Sequence, residues 1–525
     1  KVMIIDEYTG LMMAGRRRSS CGAHVGDFHP RPLREARRRL RHSFSKNKFF
    51  MRRVVQFYRQ LAGTPWLIYP LLFLAGAIGA ALPTMRTVLV LPQEYDEFAY
   101  LLGANTFLDG RLTNPPHPLA PFFQTMHELE SPTYASKYPP GQSLQLAAGG
   151  LLGEPIYGVW ATVGLLAVAA AWMLRGLAPA TWAAPGGLLA AWEWGALTYW
   201  GRTYWGGSLF ALAGMLVFGG AVRFWKKPGI GAAWWAGVGA GIMALTRPYE
   251  GLWFCIVPAA AMAWRFFTWK MENGKWKKRI LISTAALAPI AAALAFLLKY
   301  NQAVTGAAFE FPHRLYQQQV EPDVGVFVWD HPQPAPQNRN PEISYQIRRF
   351  NPPAMFDSTV NFAELAKSDL TIALPRLVDF FFPGLLGLGA AWAILGGQAW
   401  RRNAGRLALA SIASFFAMLG TLRFFGFAHY AAAWAAPIAV LILLGFRGLC
   451  AVKWKGRHLP ACAVALVLIG WAGTVLARQT NRGSPPQPWA IDRATTINNL
   501  EEQSAADHRG NVVFVMMAEG QPAFA

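Results

Sequence analysis

The fold is decided by residues 65–82, which read PWLIYPLLFLAGAIGAAL and are followed by the motif YDEFAY at 95–100. A helix needs about 20 apolar residues to cross the hydrocarbon core of a bilayer, so this stretch predicts a membrane-spanning helix. Two adjacent carboxylates, Asp96 and Glu97, stand where that helix reaches water. Acidic side chains beside a bilayer are costly and are therefore candidates for a functional role.

The composition also indicates a membrane protein. Of the 525 residues, 54% are hydrophobic and only 15% are charged, which is too apolar for a soluble chain of this length. The net charge of +21 would suit a nucleic-acid-binding protein. However, Lys and Arg cluster in short loops between hydrophobic runs, and no soluble basic domain carries them. We therefore exclude nucleic acid as a partner.

Further hydrophobic runs repeat the pattern of the first. The predicted spans are 65–82, 157–174, 183–200, 207–224, 230–246, 250–266, 280–298, 379–397, 406–423, 429–446 and 460–477. The apolar stretch 141–153 is too short to span and is predicted to be interfacial or re-entrant. We expect an all-α polytopic membrane protein with about 11 transmembrane helices.

The charge distribution gives the predicted orientation. With a cytoplasmic N-terminus, the basic loops 265–279 and 447–458 fall inside and most acids fall outside, as the positive-inside rule requires. If 141–153 crossed the membrane completely, every later loop would lie on the opposite side, and the basic loops would fall outside. Two long loops then lie outside, the first outer loop (83–156) and the second outer loop (299–378). Loops of this length are usually functional or disordered.

Three regions follow from this pattern. Residues 1–64 form a basic cytoplasmic segment, of which the part before Met51 is expected to be either a native arm or translated upstream sequence. Residues 65–477 form the transmembrane domain. Residues 478–525 form a polar outer tail, which is interpreted as a small outer domain that is cut short. The expected location is the inner (plasma) membrane.

Asp96 and Glu97 open a helical pattern near 96–108. Successive residues on a helix diverge by about 100°, so the two carboxylates cannot share one target. One can face a cavity while the other binds loop backbone or a metal. The alternative is a solvated helix start, where both acids only favour the positive end of the helix dipole.

Cationic side chains at predicted outer helix ends suit an anionic phosphate. Lys137, in the motif KYPPG at 137–141, would lie at headgroup depth, or would be a snorkelling anchor. Arg202 and Arg247 lie where the positive-inside rule disfavours them, and a guanidinium group matches phosphate bidentately. Structural pairing, such as Arg247 with Glu250, is the alternative.

The remaining candidates concern a cavity and a metal. Glu193 lies inside a predicted span, where a carboxyl faces the bundle interior and has either a functional or a structural role. His117, His127 and Glu128 are a loose set and weak evidence for a metal, so no metal site is assigned, although a divalent cation is compatible with the sequence. The cavity-lining candidates are Tyr100, Glu128, Tyr138, Glu193, Glu250, His429 and Tyr430.

Several motifs resemble the GT-C membrane glycosyltransferases, in particular the protein mannosyltransferase and aminoarabinose transferase branch, family 39 and its bacterial relatives. The similar segments are YDEFAY at 95–100, GRLTNP at 110–115, KYPPG at 137–141, RPYEG at 247–251 and TG at 305–306. The resemblance covers about 60–477 and is strongest in the first outer loop.

This resemblance implies a GT-C fold and an inverting glycosyltransferase. The enzyme would move a sugar from a polyprenyl-phosphate donor to a lipid, glycan or protein acceptor at the outer face of the inner membrane. Asp96 would be the catalytic base, and Glu97 matches the second acid of the family pair. Lys137 would match the phosphate-side lysine. Arg202 and Arg247 are assigned to the same phosphate by position only.

Two other classes of function stay open. A transporter or flippase of a lipid-linked saccharide would place charges at mid-membrane in broken helices, whereas the acids here gather in the outer loop, apart from Glu193. An oligosaccharide ligase or polymerase with a diphosphate-linked donor would depend on side chains such as His313 and Arg314. The insert 117–136 departs from the aminoarabinose transferases and leaves the sugar and the acceptor open.

Overall fold

The structure is a computed structural model. It describes residues 52–84, 90–120, 124–269, 276–351, 353–356, 373–382, 386–423 and 426–453, with short pieces at 3–5, 12–14, 367, 371, 456, 470–471, 495–496 and 499. The chain divides into two compact units, Lys1–Gln60 and Leu61–Ala525. In the first unit, strands β1 (Met3–Ile5) and β2 (Met12–Ala14) pair antiparallel.

The second unit is built mainly from helices. In chain order they are α1 (Pro65–Thr84), α2 (Tyr95–Leu108), α3 (Gly141–Gly150), α4 (Pro155–Arg175), α5 (Ala180–Ala190), α6 (Ser208–Lys226), α7 (Ile230–Thr246), α8 (Pro248–Thr268), α9 (Trp276–Thr305), α10 (Pro312–Gln319), α11 (Pro341–Phe350), α12 (Leu374–Phe381), α13 (Leu386–Leu395), α14 (Gln398–Arg401), α15 (Asn403–Leu419) and α16 (Ala435–Ala451). Strands β3 (Glu128–Leu129) and β4 (Ala135–Ser136) form a small antiparallel hairpin between α2 and α3.

The described residues confirm a mostly helical chain with several apolar spans, but not the count of 11. Six helical segments, α1, α4, α6, α8, α9 and Ala428–Ala451, are long and apolar enough to cross a membrane. Helices α12 and α13 add a seventh only if the pair, bent by 106°, forms one broken span. Helices α7 and α15, both predicted as spans, have 17 residues each. Most of the predicted span 460–477 lies outside the described residues.

The predicted span at 183–200 is broken. Helix α5 passes into a π-helix at Ala191–Ala196 and then a 3₁₀ turn at Tyr199–Gly201. The Thr198 hydroxyl donates to the carbonyl of Trp194 (2.6 Å) and accepts from the N–H of Trp200 (3.2 Å). A side chain that bonds its own backbone in this way competes with helical hydrogen bonding, and the helix ends there.

Small residues let neighbouring helices approach closely, as is common in membrane bundles. A Cβ at Gly158 of α4 would lie 2.0 Å from the Gln145 carbonyl oxygen of α3. A Cβ at Gly237 of α7 would lie 2.2 Å from the Ala286 carbonyl oxygen of α9. Any larger residue at either position would force the helices apart.

Helix α3 corresponds to the short apolar stretch predicted not to span. Its ten residues cover about 15 Å, half of a bilayer core. Its polar side chains bond buried neighbours: Ser143 donates to the Tyr100 carbonyl (2.9 Å), and Gln142 donates to the Tyr204 carbonyl (3.0 Å). The first bond holds α2 against α3, and the second holds α3 against the segment before α6, so that the acid pair and the KYPPG motif are kept at a fixed distance.

Candidate active site

The start of α2 is fixed by Glu97. Its side chain is only 1% exposed. One carboxylate oxygen accepts from the backbone N–H groups of Gln93 (2.7 Å) and Glu94 (3.1 Å), and the other accepts from the N–H of Tyr204 (2.8 Å). Burial raises the pKa of Glu97 to about 7, against the lowering effect of these three donors. Glu97 therefore binds loop backbone, one of the two roles that the helix geometry predicts for the acid pair.

Asp96, one residue earlier, faces in another direction. Its side chain is 23% exposed. Oδ1 accepts a hydrogen bond from the Tyr138 hydroxyl, and Oδ2 lies 3.7 Å from Nε2 of His127. The two neighbouring carboxylates thus have separate surroundings, one made of backbone donors and one made of side chains.

The surroundings of Asp96 keep it ionised. Burial raises its pKa, but the net shift is downward. The groups that lower it are His127, the Tyr138 hydroxyl, Lys137 and Arg247. Burial also lowers the pKa of His127, to about 3. The net effect of these neighbours favours the carboxylate form of Asp96, which is the protonation state that a general base needs.

Tyr138 is held rigidly as a donor to Asp96. Its ring stacks on Tyr100, with centroids 4.5 Å apart and 27° between the planes. Its carbonyl accepts from the Tyr300 hydroxyl (3.4 Å). Burial raises the pKa of both Tyr138 and Tyr100, so the phenols stay protonated. Both residues were predicted to line a cavity, and the structure places them beside Asp96.

His127 has a strained backbone. Its φ of 72° lies in the left-handed region, which is uncommon for a residue with a side chain. Its N–H donates to the Tyr316 hydroxyl (3.0 Å), and its carbonyl accepts from the N–H of Lys137 (3.0 Å). Nδ1 is buried without a hydrogen-bond partner in the described part of the chain. Strain of this kind costs about 1–3 kcal/mol and clusters at functional sites.

Lys137 is a buried cation rather than an exposed anchor. It is 4% exposed, and its Nζ lies 3.8 Å from Oε2 of Glu321, a buried carboxylate of the second outer loop. The same Nζ lies 4.5 Å from the ring centroid of Tyr316, a cation–π distance. The alternative of a snorkelling lysine does not fit this burial.

Arg247 stands at the corner between α7 and α8. Its Nη1 lies 3.2 Å from Oε1 of Glu250, and its guanidinium lies 4.4 Å from the ring centroid of Tyr430. The KYPPG motif reaches this corner because its last residue is glycine: a Cβ at Gly141 would lie 2.5 Å from Cγ2 of Thr246. This close approach brings Arg247 within electrostatic reach of Asp96.

Two predicted candidates have structural partners elsewhere. Nε of Arg202 donates to the carbonyl of Ala196 (3.0 Å), at the end of the π-helix. Glu193 is buried and accepts from Nε1 of Trp471 (2.6 Å). A buried carboxylate with an indole donor explains how an acid is tolerated within the apolar span.

His429 belongs to an aromatic cluster that includes Tyr430. It is buried, and its Nδ1 lies 3.0 Å from the Tyr199 hydroxyl. Its ring packs against Tyr430 with centroids 4.5 Å apart. His429 thus supports Tyr430, on which the Arg247 guanidinium rests.

Glu128 stabilises the hairpin of the first outer loop. One of its oxygens accepts from the Thr125 hydroxyl (2.8 Å) and from the Tyr134 hydroxyl (2.9 Å). His117 lies on an exposed turn, where its Nδ1 accepts from the N–H of Leu119 (3.1 Å). Within the described ranges, no three His, Cys, Asp or Glu side chains form a group that could hold a metal ion.

The second outer loop adds residues that sequence reasoning did not place here. Tyr316 and Glu321 were not singled out, and His313 was considered only for the alternative ligase function. Burial, together with the charge of Lys137, lowers the pKa of His313 to about 3, so this imidazole is neutral. No local pattern could have identified these residues, because Glu321 and Lys137 are far apart in the sequence.

Comparison with known proteins gives structural similarity only. No protein-family model matches the chain, and a search of curated proteins gives no match. The chain is similar to the Archaeoglobus fulgidus oligosaccharyltransferase in its apo form, with a TM-score of 0.46 and 13% identity over 87% of this chain and 61% of that one. It is also similar to the Archaeoglobus fulgidus oligosaccharyltransferase AglB in complex with an inhibitory peptide and a dolichol-phosphate, with a TM-score of 0.42 and 12% identity over 86% and 61%.

A third structure, the Archaeoglobus fulgidus enzyme tethered to an acceptor peptide, has a TM-score of 0.41 and 14% identity over 86% of this chain and 60% of that one. The chain therefore spans about three fifths of the length of the structures it matches. All three TM-scores lie below 0.5.

Proposed function

We propose that the protein is an inverting membrane glycosyltransferase with Asp96 as the general base. The observation that carries the proposal is the setting of the Asp96 carboxylate, which is ionised, positioned by Tyr138 and close to the cations Lys137 and Arg247. A base for the acceptor beside cations for a departing phosphate is the arrangement that sugar transfer from a lipid phosphate needs.

The reaction is a single displacement at the anomeric carbon. The acceptor hydroxyl or amine gives its proton to Asp96, and the acceptor atom forms the new bond to the anomeric carbon. The bond from that carbon to the phosphate oxygen breaks with its electron pair, which leaves polyprenyl phosphate and inverts the configuration. Since Tyr138 occupies Oδ1, the proton goes to Oδ2. General-base catalysis typically contributes about 10²–10⁴-fold.

Lys137 and Arg247 would stabilise the phosphate of the donor. Nζ of Lys137 lies 3.8 Å from Oε2 of Glu321, which is longer than a hydrogen bond, so the ammonium keeps donors for a phosphate oxygen. Arg247 rests on Tyr430 and keeps donors besides the one that faces Glu250. Arg202 is a weaker candidate because it already caps the π-helix.

The test is Asp96→Asn in purified protein reconstituted with its native lipids. Release of polyprenyl phosphate should fall by about 10²–10⁴-fold, the usual contribution of a general base. Binding of donor lipid, measured by native mass spectrometry, should persist. The matched control is Asp109→Asn, because Asp109 is an exposed acid on the C-terminal side of the same helix, paired with Arg111. Full turnover by Asp96→Asn would remove Asp96 from the chemistry.

One observation favours a second candidate, an oligosaccharide ligase or polymerase with a diphosphate-linked donor. His313, on which a ligase or polymerase would depend, lies close enough to Lys137, Arg247 and Asp96 for their charges to affect its pKa. Mass spectrometry of the lipid that copurifies with the protein separates the two candidates. A polyprenyl monophosphate sugar supports the first, and a polyprenyl diphosphate saccharide supports the second.

A further inference from the structure

We propose that Trp329, on the second outer loop, is a stacking platform for a saccharide ring. The side chain is 55% exposed. One face of its ring lies on Phe327, with centroids 4.9 Å apart and 5° between the planes. Phe327 packs edge-on against Tyr249, at 4.8 Å and 61°. Three aromatic rings therefore form one layer whose outermost member is the exposed indole.

The backbone that carries this layer is fixed by several bonds. The Asp330 carboxylate accepts from two backbone N–H groups of the loop, each at 2.8 Å. The N–H of Val328 donates to the carbonyl of Thr421 (3.1 Å). The buried Arg423 donates through Nε to the Phe327 carbonyl (2.9 Å) and through Nη2 to the Asp330 carbonyl. The backbone that carries the indole is thus fixed before any ligand arrives, so little backbone freedom is lost on binding.

The location joins the platform to the active site. Tyr249, the inner ring of the layer, follows Arg247 by two residues on the same corner of the fold. Segment 321–330 of the second outer loop begins with Glu321, the partner of Lys137. Within this segment, Val324 and Val326 pack in one cluster with Met126 and Tyr95, the sequence neighbours of His127 and Asp96. The segment therefore starts beside Lys137 and reaches the corner that carries Arg247 through the contact of Phe327 with Tyr249, where it presents Trp329.

The chemistry of this surface fits a sugar. The face of an indole carries negative charge from its π-system, which attracts the slightly positive C–H groups on the apolar face of a sugar ring. The exposed side chains of His331 and Gln333 lie close by in sequence and offer hydrogen-bonding groups for hydroxyls. The alternative is that Trp329 belongs to an aromatic belt at the membrane interface. The inference rests on the proposed function in one respect, the presence of a saccharide substrate at this face.

The experiment is hydroxyl-radical oxidation of the full-length protein in lipid nanodiscs, read at the Trp329 peptide by mass spectrometry. The probes are maltose, mannobiose and chitobiose, together with polyprenyl phosphate with and without a sugar. The internal control is Trp400 of α14, which is 59% exposed and lies outside the apolar spans. We expect a several-fold fall in Trp329 oxidation with a saccharide probe and no change at Trp400.

The outcomes also identify the source of the sugar. If a free disaccharide protects Trp329 from oxidation, the platform binds the acceptor saccharide. If only the sugar-loaded lipid protects it, the platform binds the sugar of the donor. Shielding by the nanodisc lipids or by bare polyprenyl phosphate overturns the proposal in favour of an interfacial anchor. No protection by any probe also overturns it. Asp96→Asn protein should show the same protection as the unaltered protein, so failure of the platform and failure of the catalytic proposal are read separately.

Discussion

The two outer loops contribute different things to one site. The first outer loop supplies the proposed base Asp96 and its donor Tyr138, whereas the second supplies the buried counter-charge Glu321 and the ring of Tyr316 beneath Lys137. Asp96 and Tyr138 lie in short sequence motifs, while Glu321 and Tyr316 lie in a stretch without a recognisable pattern. The proposed catalytic motif is therefore local in sequence, although the charges that balance it are not.

Removing the contact between the loops should have the largest effect on stability. Lys137→Ala leaves the Glu321 carboxylate buried without its cation, and breaking a buried pair in this way costs about 3–5 kcal/mol. We expect a large loss of thermal stability together with weaker binding of the donor lipid.

The double variant Lys137→Ala with Glu321→Ala sharpens this test. Stability should recover in part, because no charge is left unpaired, but donor binding should stay weak. The control is Lys299→Ala, which removes an exposed lysine near the C-terminal end of α9. Recovery of donor affinity in the double variant would show that Lys137 is only a structural cation.

Within the first outer loop, Glu97 gives a pH-dependent prediction. Its pKa is raised by burial to about 7, so the folded state binds the proton more tightly than the unfolded state does. The stabilisation from protonated Glu97 is fully present below the ordinary glutamate pKa and is lost as the pH rises through about 7. This pH-dependent stabilisation, on the order of 3 kcal/mol, should be absent from Glu97→Gln. The measurement is the free energy of unfolding of both proteins across this pH range, and parallel curves would contradict it.

Residue chemistry explains which parts of this molecule could be predicted from its sequence. The first span was predictable because hydrophobicity over about 20 residues is a local property. The divergence of Asp96 and Glu97 was predictable because helix geometry alone dictates it. The break near Thr198 was not, since a hydroxyl that bonds its own backbone leaves the apolar run unchanged.

Long-range partners were also beyond prediction. Trp471 donates to Glu193 from 278 residues further along the chain, and Glu321 faces Lys137 from the other outer loop. Neither partner carries a local signal, because a lone Trp or Glu in a loop fits many roles. The resemblance of the motifs to a glycosyltransferase family pointed to Asp96, but it gave no information on these supporting contacts.

Tyr138→Phe tests whether the hydroxyl tunes the base. In the proposed mechanism, activity requires ionised Asp96 and is lost as the pH falls through its pKa. Removing a donor that lowers this pKa should therefore move the acidic limb of kcat/KM to higher pH. The loss of one hydrogen bond, about 1 kcal/mol net, corresponds to roughly fivefold in kcat/KM below the plateau. Tyr157→Phe, at a partly exposed phenol on α4, should leave the profile unchanged.

The smallest expected effect concerns the backbone of His127. Glycine is ordinarily less stable than alanine, by roughly 0.5–1 kcal/mol, because it loses more freedom on folding. At a φ of 72° the order should reverse, since alanine is strained there and glycine is not. His127→Gly should therefore be more stable than His127→Ala by about 1 kcal/mol, although both lose the imidazole. If chemical unfolding finds alanine the more stable, the strain is absent in solution. A functional role of His127 would then be supported only by the distance of its Nε2 from Asp96.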